Sequence, residues 1–220
     1  MSLTFPNGEI MRDELDNQLC EKYPKIFRDR HAPMTETCMC WGFECGDGWY
    51  NIIDALCSQI CNHVENHNRN AKWNREQNAI REAALAGNWQ PFDDEFKRLY
   101  DREYNDYWTE EKRNKLYERN KQSILKSEPR ENTEDMPYPV VTQVKEKFGR
   151  LRIYLSLQLD QQGVPTIPEE DLSGIYKFIY SIEEASANIC EECGASLNAG
   201  NRQSQKTMGY WMRNICSPCY

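Results

Sequence analysis

The sequence contains no long hydrophobic run. No stretch approaches the roughly 18 consecutive apolar residues that span a bilayer. The first residues, MSLTFPNGEIMRDEL, lack the apolar core of a secretory signal. The mean hydropathy is −0.86. These absences argue against a membrane or secreted protein, and we expect the chain to act in the cytoplasm.

Positive charge is also in short supply. The chain has 27 Lys and Arg against 35 Asp and Glu, which gives a net charge of −8. The overall field of such a chain disfavours nonspecific binding to nucleic acid, although a local basic strip stays compatible with it. Because the two signs of charge are interleaved, mimicry of nucleic acid is disfavoured as well.

Recognisable catalytic motifs are missing. The sequence has no G-x-S-x-G, no H-E-x-x-H and no Walker loop. The three histidines, His31, His63 and His67, show no recognisable arrangement with a nucleophile. The sequence therefore favours a non-enzymatic protein, with an enzyme of unrecognised site as an alternative.

Cysteine, in contrast, is abundant, with ten residues. Paired cysteines in a reducing compartment are more often metal ligands than disulfides. Cys190 and Cys193 form one C-x-x-C pair, and Cys216 and Cys219 form another after 22 intervening residues. Two such turns aim four thiolates at one ion and leave no open coordination position. The spacing predicts one structural Zn²⁺ in a C-terminal zinc ribbon.

A second group of cysteines lies near the N-terminus, at Cys38, Cys40, Cys45, Cys57 and Cys61. These thiols suggest a second metal ion, with His63 as a reserve ligand. Their spacing is irregular for a metal site, and free cysteine is often buried as a small hydrophobe. Both interpretations stay open at this stage.

The segment CMCWGFECGDGWY, which holds three of these cysteines, is rich in glycine and tryptophan. Its glycines allow close approach of the backbone, and Trp41 and Trp49 offer flat apolar faces. Asp47 either accepts hydrogen bonds or caps a helix. One hypothesis is a pocket for a planar ligand. The favoured one is an aromatic-packed loop folded over a hairpin, because buried tryptophan usually anchors a core.

The N-terminal two thirds of the chain read as largely helical. Helical spacing of apolar residues predicts helices over 9–28 and from about 47 to 66. Residues 67–135 are dense in charge and predict two or three exposed helices that break at Gly87 and Pro91.

The hydrophobic period then changes. Residues 140–147 and 151–158 alternate, with Gly149 in the turn between them, which predicts a β-hairpin. Residues 168–186 predict a helix with acidic residues in its first turn, and 207–215 have the composition of a strand.

Four basic residues cluster on the predicted hairpin: Lys145, Lys147, Arg150 and Arg152. They suggest contacts to phosphates. A solvated outer face, in which lysines guard against edge pairing, is at least as favoured.

Together these patterns predict an α+β protein with helical N-terminal and middle regions, a central β-hairpin and a C-terminal zinc ribbon. The predicted domains are N-terminal helices with the Cys/Trp/Gly loop at 1–67 and a charged helical insertion at 68–136. The hairpin and a helix at 137–187 complete the core, and the zinc ribbon occupies 188–220.

Four motifs carry a family resemblance: LCEKYPKIF, CWGFECGDGWYNIIDALC, VVTQVKEKFGRLRIY and CEECG, in that order. They resemble a protein family common in tailed bacteriophages and prophages, for which no biochemical activity is established. The resemblance covers most of the chain and is least distinctive over 68–135. It implies an accessory phage protein made in the cytoplasm of the infected bacterial host. Family members tend to place a His among the last ligands, whereas Cys216-Ser-Pro-Cys219 keeps four thiols here.

The leading functional hypothesis is a non-enzymatic phage protein that binds a host or phage macromolecule, a protein or a nucleic acid, in host takeover or counter-defence. Its contacts would be the Trp/Gly loop and the basic hairpin. The alternative is a protein that sequesters a nucleotide signal by stacking on Trp41 or Trp49, with phosphate contacts to Lys145 or Arg152. No membrane partner is expected.

Overall fold

The computed structural model describes residues 10–100, 109–156, 159, 161–163, 165–197, 204–206 and 213–219. Its helices are α1 (Asp13–Lys22), α2 (Tyr50–Leu85), α3 (Gln90–Tyr100), α4 (Glu110–Lys126) and α5 (Glu169–Ser186). Its strands are β1 (Phe43–Glu44), β2 (Val140–Glu146), β3 (Leu151–Ser156), β4 (Ser204–Lys206) and β5 (Asn214–Cys216). The predicted α+β class is confirmed. In these ranges, no helix is long and apolar enough to cross a membrane.

The chain divides into two compact units. The main unit comprises Met1–Glu65 and Met136–Tyr220, and the inserted unit comprises Asn66–Asp135. Helix α2 begins in the main unit and continues into the inserted one.

Helix α1 is shorter than the predicted span of 9–28. Acidic residues occupy its first turn and Lys22 its last, an arrangement that favours the helix dipole at both ends. The helix ends at Lys22, ahead of Pro24, because the residue before a proline is disfavoured in helical conformation.

The prediction that the second helix ends near residue 66 is wrong, since α2 runs on to Leu85. Beyond residue 66 its buried positions are small, at Ala71 and Ala84, so the apolar stripe that marks a helix in sequence fades. The helix ends at Leu85, and Gly87 follows with a φ of +86°, which suits the left-handed position after a helix end. Pro91 lies in the first turn of α3, where its missing N–H is tolerated, so it does not break a helix.

The predicted hairpin is confirmed. Strands β2 and β3 pair antiparallel, and β1 adds a parallel edge that gives the order β1-β2-β3. Lys147 and Arg150 exchange backbone hydrogen bonds across a two-residue turn of Phe148 and Gly149. Both turn residues have positive φ, +55° and +74°, as in a type I′ turn. The sequence did not predict β1, because a strand of two residues shows no hydrophobic period. Leu157 and Gln158, the end of the predicted second strand, lie outside the described residues.

The core of the main unit lies between the sheet and the surrounding helices. Helix α5 confirms the predicted helix and buries Ile175 and Ile179 on one face. Trp49 is the largest fully buried side chain in the core. It therefore anchors the segment that precedes α2.

The inserted unit has a smaller apolar centre around Phe92. The ring of Phe92 lies 5.3 Å from that of Tyr117 and 5.8 Å from that of Trp89, between centroids. The hydroxyl of Tyr117 donates to Asp93 Oδ1 at 2.7 Å. Three further aromatics of this region, Tyr104, Tyr107 and Trp108, lie outside the described residues.

Strands β4 and β5 form a separate antiparallel pair, with Ser204 opposite Cys216. Of the predicted strand over 207–215, only 213–215 are described, and β5 begins at Asn214. The amide nitrogen of Asn214 donates to the carbonyls of Ser186 and Ala187, at 3.1 and 2.6 Å. These bonds satisfy two carbonyl groups at the C-terminal end of α5 and hold β5 beside that helix.

Candidate metal centre

The four C-terminal cysteines converge on one point. Their Sγ atoms all lie within 4.8 Å of one another, and Cys193 Sγ is 3.6 Å from Cys216 Sγ. A tetrahedral metal with bonds of about 2.3 Å to sulfur requires sulfur–sulfur separations of about 3.8 Å. Cys190, Cys193, Cys216 and Cys219 are therefore placed closely enough to hold a single metal ion, as predicted.

The backbone shapes the first pair of ligands into a knuckle, Cys190–Gly194. Cys190 N–H donates to the Ala195 carbonyl at 2.8 Å, and Gly194 N–H donates to the Cys190 carbonyl at 2.9 Å. Gly194 has a φ of +71°, which favours glycine. The Cys216 N–H points at Cys190 Sγ from 3.3 Å, an arrangement that stabilises a thiolate.

One thiol of the cluster ionises near neutral pH. Burial alone would raise the pKa of Cys193, but hydrogen bonding to the backbone of Ala195 and to the neighbouring thiols lowers that pKa to about 7. Since thiolates, not thiols, bind metals, this cysteine is prepared for coordination.

The knuckle packs into a socket formed by Gly46–Trp49. Gly48 N–H donates to the Glu191 carbonyl at 2.7 Å, and the Trp49 indole N–H donates to the Ile189 carbonyl at 3.1 Å. A Cβ at Gly46 would lie 2.5 Å from the Glu191 carbonyl oxygen, and one at Gly48 would lie 2.6 Å from the same atom. Only glycine fits at both positions, so the close backbone approach predicted for this segment is explained by the knuckle.

Glu191, inside the first C-x-x-C pair, is a fully buried carboxylate that the sequence did not reveal. Its Oε1 accepts the Gly46 N–H at 3.1 Å, and its Oε2 lies 3.5 Å from Arg213 Nε. Burial raises the pKa of Glu191 to about 7, against the opposing effect of Arg213. The side chain ties the knuckle, the socket and the start of β5 together.

The five N-terminal cysteines do not form a comparable cluster. Cys45 and Cys57 are buried, and burial raises the pKa of both thiols. Cys38 is exposed, while Cys40 and Cys61 are partly buried. Among the described residues, the C-terminal group is the only one with three or more potential ligand atoms close enough for one ion. The hypothesis of a second metal gains no support from this arrangement.

His63, the reserve ligand of that hypothesis, lies beside a carboxylate instead. Its Nε2 is 2.8 Å from Asp171 Oδ1 at the start of α5. Its ring also meets Phe178 edge-on, with 5.8 Å between centroids. The residue therefore links α2 to α5.

The structure separates the roles of the aromatic and acidic residues in the Cys/Trp/Gly loop. Trp49 has no exposed surface, so it presents no face to a ligand or partner. Asp47 accepts the backbone N–H of Arg12 at 2.9 Å and pairs with the Arg12 guanidinium at 2.8 Å. Trp41 is 43% exposed and keeps a free face.

The loop is positioned by a buried ion pair that sequence reasoning missed. Arg30 lies 2.7 Å from Asp16 and donates to the Met39 carbonyl at 2.9 Å. Gly42, with a φ of +85°, passes so close that a Cβ there would lie 2.9 Å from the Asp16 carboxylate. The pair supports the turn that carries Trp41.

The four basic residues of the hairpin differ in their partners. Arg150 pairs with Glu184, and Arg152 with Glu183 at 2.7 Å, so both guanidinium groups are neutralised by α5. The ammonium groups of Lys145 and Lys147 instead lie over aromatic rings, those of Tyr154 and Phe148. The positive charge left on this hairpin belongs to the two lysines.

No protein-family model, no curated protein and no solved structure matches this chain.

Proposed function

We propose that this protein is a non-enzymatic binding protein in which one structural Zn²⁺, held in a C-terminal zinc ribbon, fixes the surface that contacts a partner. The observation that carries the proposal is the convergence of four thiols on one point. Four cysteine ligands complete a tetrahedron and leave no position for substrate or water, which is typical of a structural ion.

The proposed biological setting follows from the family resemblance. The protein would be an accessory factor of a tailed phage that acts in the cytoplasm of the infected bacterium. Its target would be a host or phage macromolecule engaged in host takeover or counter-defence.

The contact surface that we propose is the hairpin tip, defined as Lys145, Lys147, Phe148 and Tyr154. Phe148 is 71% exposed and has a φ of +55°. A bulky side chain gains no folding energy there, since the first position of a type I′ turn favours Asn, Asp or Gly. An exposed aromatic residue at a strained position supports a role in binding.

The metal is tested by native mass spectrometry and metal analysis of protein purified without added metal. We expect about one zinc per chain. Replacement of Cys219 by Ser should abolish zinc retention, and the exposed Cys38→Ser should leave it unchanged. Iron bound to the same thiols would give a coloured protein and would replace zinc in the proposal. A metal-free wild-type protein would overturn it.

The surface is tested by partner capture from infected cells with matched variants. Phe148→Asn removes the ring but suits the turn, so it should retain the fold and lose the captured partner. Tyr180→Ala removes an exposed aromatic of α5, outside the hairpin tip, and should retain the captured partner. Equal capture by the wild type and Phe148→Asn would refute the assignment of the surface.

A further inference from the structure

A cavity of about 320 Å³ lies within the inserted unit, between α2, α3 and α4. Its apolar wall includes Trp73 and Phe96. Small-molecule sites commonly occupy about 300–1,000 Å³, so this volume suits a small ligand with one ring system. Trp73 is 45% exposed, although it is the largest apolar side chain on this stretch of α2.

Four polar side chains line the same cavity with unused hydrogen-bonding capacity: Gln77, Asn120, Ser123 and Arg130. Within the described residues, the side chains of these four make no hydrogen bond or ion pair. An amide offers both a donor and an acceptor, which matches the edge of a heteroaromatic base.

The neighbouring face of α2 is different, because its polar side chains are occupied. Asn74 donates to the carbonyls of Glu131 and Asn132, at 2.8 and 3.2 Å, and Arg81 donates to the Ser127 carbonyl at 2.7 Å. These side chains fasten the segment after α4 along the helix. The free groups on the cavity side are therefore not a general property of this helix.

The fastened segment also positions a cation. Asn78 binds the backbone of Arg130 in both directions, at 2.9 Å to its carbonyl and 2.7 Å from its N–H. The Arg130 guanidinium carbon then lies 4.1 Å from the centre of the Trp73 ring. The other charged groups of the cavity, Glu95 and Arg98, neutralise each other at 2.6 Å. Among the described residues, Arg130 thus carries the uncompensated charge of the cavity.

A larger depression of about 730 Å³ shares the Trp73 wall but has no excess of positive charge. It is lined by three cations, Arg69, Lys72 and Arg98, and three carboxylates, Glu76, Asp94 and Glu95. It therefore offers no net attraction to an anion, and we place the site in the smaller cavity.

We propose that the inserted unit binds a free mononucleotide, with the base against the part of the Trp73 indole that stays exposed beside Arg130 and the phosphate on Arg130. A flat indole beside a guanidinium matches a ligand in which a ring and an anionic group are close together. The net charge of −8 disfavours a long polyanion, which selects a free nucleotide over a nucleic-acid strand. This site is independent of the zinc site and of the hairpin tip.

The test is isothermal titration calorimetry of the full zinc-loaded chain with adenosine and uridine 5′-monophosphates at up to about 1 mM. We expect saturable binding of at least one of them. The matching nucleoside without phosphate should bind about tenfold more weakly or worse, because the contact to Arg130 is lost.

Two variants and two controls locate the site. Trp73→Ala and Arg130→Gln should each weaken binding about tenfold or more, since each removes a stacking or a charge contact. Arg119→Gln, on an exposed arginine of α4, and Trp41→Ala, in the main unit, should stay within about twofold of the wild type. The proposal would be overturned if the wild type showed no saturable binding, or if Trp73→Ala and Arg130→Gln both bound with wild-type affinity. Tighter binding of a ten-residue oligothymidylate with the same dependence on both residues would overturn the choice of a free nucleotide.

Discussion

At the scale of single residues, the main unit is defined by positions that tolerate no substitute. Gly46 and Gly48 admit the backbone of the knuckle, and Arg30 neutralises a carboxylate that has almost no contact with solvent. In each case the neighbour is fixed by other contacts and has little freedom to yield. Substitutions at these positions should therefore destabilise the protein, either by overpacking or by leaving a buried charge unpaired.

Gly48→Ala should destabilise the protein strongly, because its methyl group would overlap the carbonyl oxygens of Cys190 and Glu191. We expect a loss of about 3 kcal/mol or more in the free energy of unfolding, measured by chemical denaturation. Gly174→Ala is the control, because a Cβ there meets His63 at an ordinary distance of 3.5 Å. A wild-type midpoint for Gly48→Ala would show that the knuckle does not occupy the socket.

Arg30→Met should cost about 3–5 kcal/mol, since it leaves Asp16 buried without its partner. Hydrogen bonds to Asp16 raise the pKa of the Arg30 guanidinium, and partial burial, which would lower that pKa, does not outweigh them. The matched control is Arg12→Met, which breaks the exposed pair with Asp47 and should cost no more than about 1 kcal/mol. Equal losses in urea denaturation would contradict the distinction between the two pairs.

At the scale of elements, the hairpin is a stable frame with an unfavourable residue at its turn. Strand β3 buries Leu151 and Ile153 in alternation, and β2 buries three valines, Val140, Val141 and Val144, beside a bulge. Helix α5 neutralises two of the arginines. The turn places Phe148 in a left-handed conformation that glycine or asparagine adopts at lower cost.

Phe148→Asn should therefore stabilise the fold, by about 1 kcal/mol, because Asn-Gly is a favoured type I′ pair. Differential scanning calorimetry of the zinc-loaded protein measures the change. Phe148→Ala removes the same ring without relieving the backbone, and we expect no gain from it. A gain in both variants would attribute the effect to the lost ring and not to the turn.

The sequence predicted elements whose signal is local. Alternation between Val140 and Leu155 revealed the hairpin, and acidic residues at Glu169–Asp171 marked the start of α5. It predicted the wrong end for α2 because Ala71 and Ala84 are too small to mark a face. It also missed β1, which exists only through its pairing with β2.

For the candidate site, the spacing of cysteines predicted the ligands but not their surroundings. Two C-x-x-C pairs imply convergence whatever lies between them. The contact of Gly46 with Glu191 joins residues 145 positions apart, and no pattern in either segment names the other. The glycines signalled a close approach, and only the fold identified the knuckle.

At the scale of the whole molecule, the C-terminal cysteine cluster and the socket are joined by hydrogen bonds within the main unit. The socket is attached to α2, and the ligands are attached to α5 and β5. Loss of the proposed metal should therefore change the environment of Trp49 as well as that of the ligands.

Chelation of the proposed zinc should expose four thiols and perturb Trp49. We expect Cys190, Cys193, Cys216 and Cys219 to resist alkylation in the metal-loaded protein and to react after treatment with a strong chelator, as mapped by peptide mass spectrometry. The exposed Cys38 should react in both states. A change in the near-ultraviolet circular dichroism should accompany the loss of metal. Reactive C-terminal thiols before chelation would contradict a bound metal.

The socket and the knuckle lie far apart in the sequence, and this has a consequence for biosynthesis. Gly46 and Trp49 leave the ribosome well before Glu191, which follows Gly46 by 145 residues. During that interval the fully buried indole of Trp49 lacks the carbonyl that receives its N–H. Domains fold as units once their chain is available, so the proposed metal would complete this unit only after the knuckle has been made. Supply of the proposed metal would then act as a quality check on each newly made chain, and chains that stop before the knuckle would present an incomplete core to the proteases of the cell.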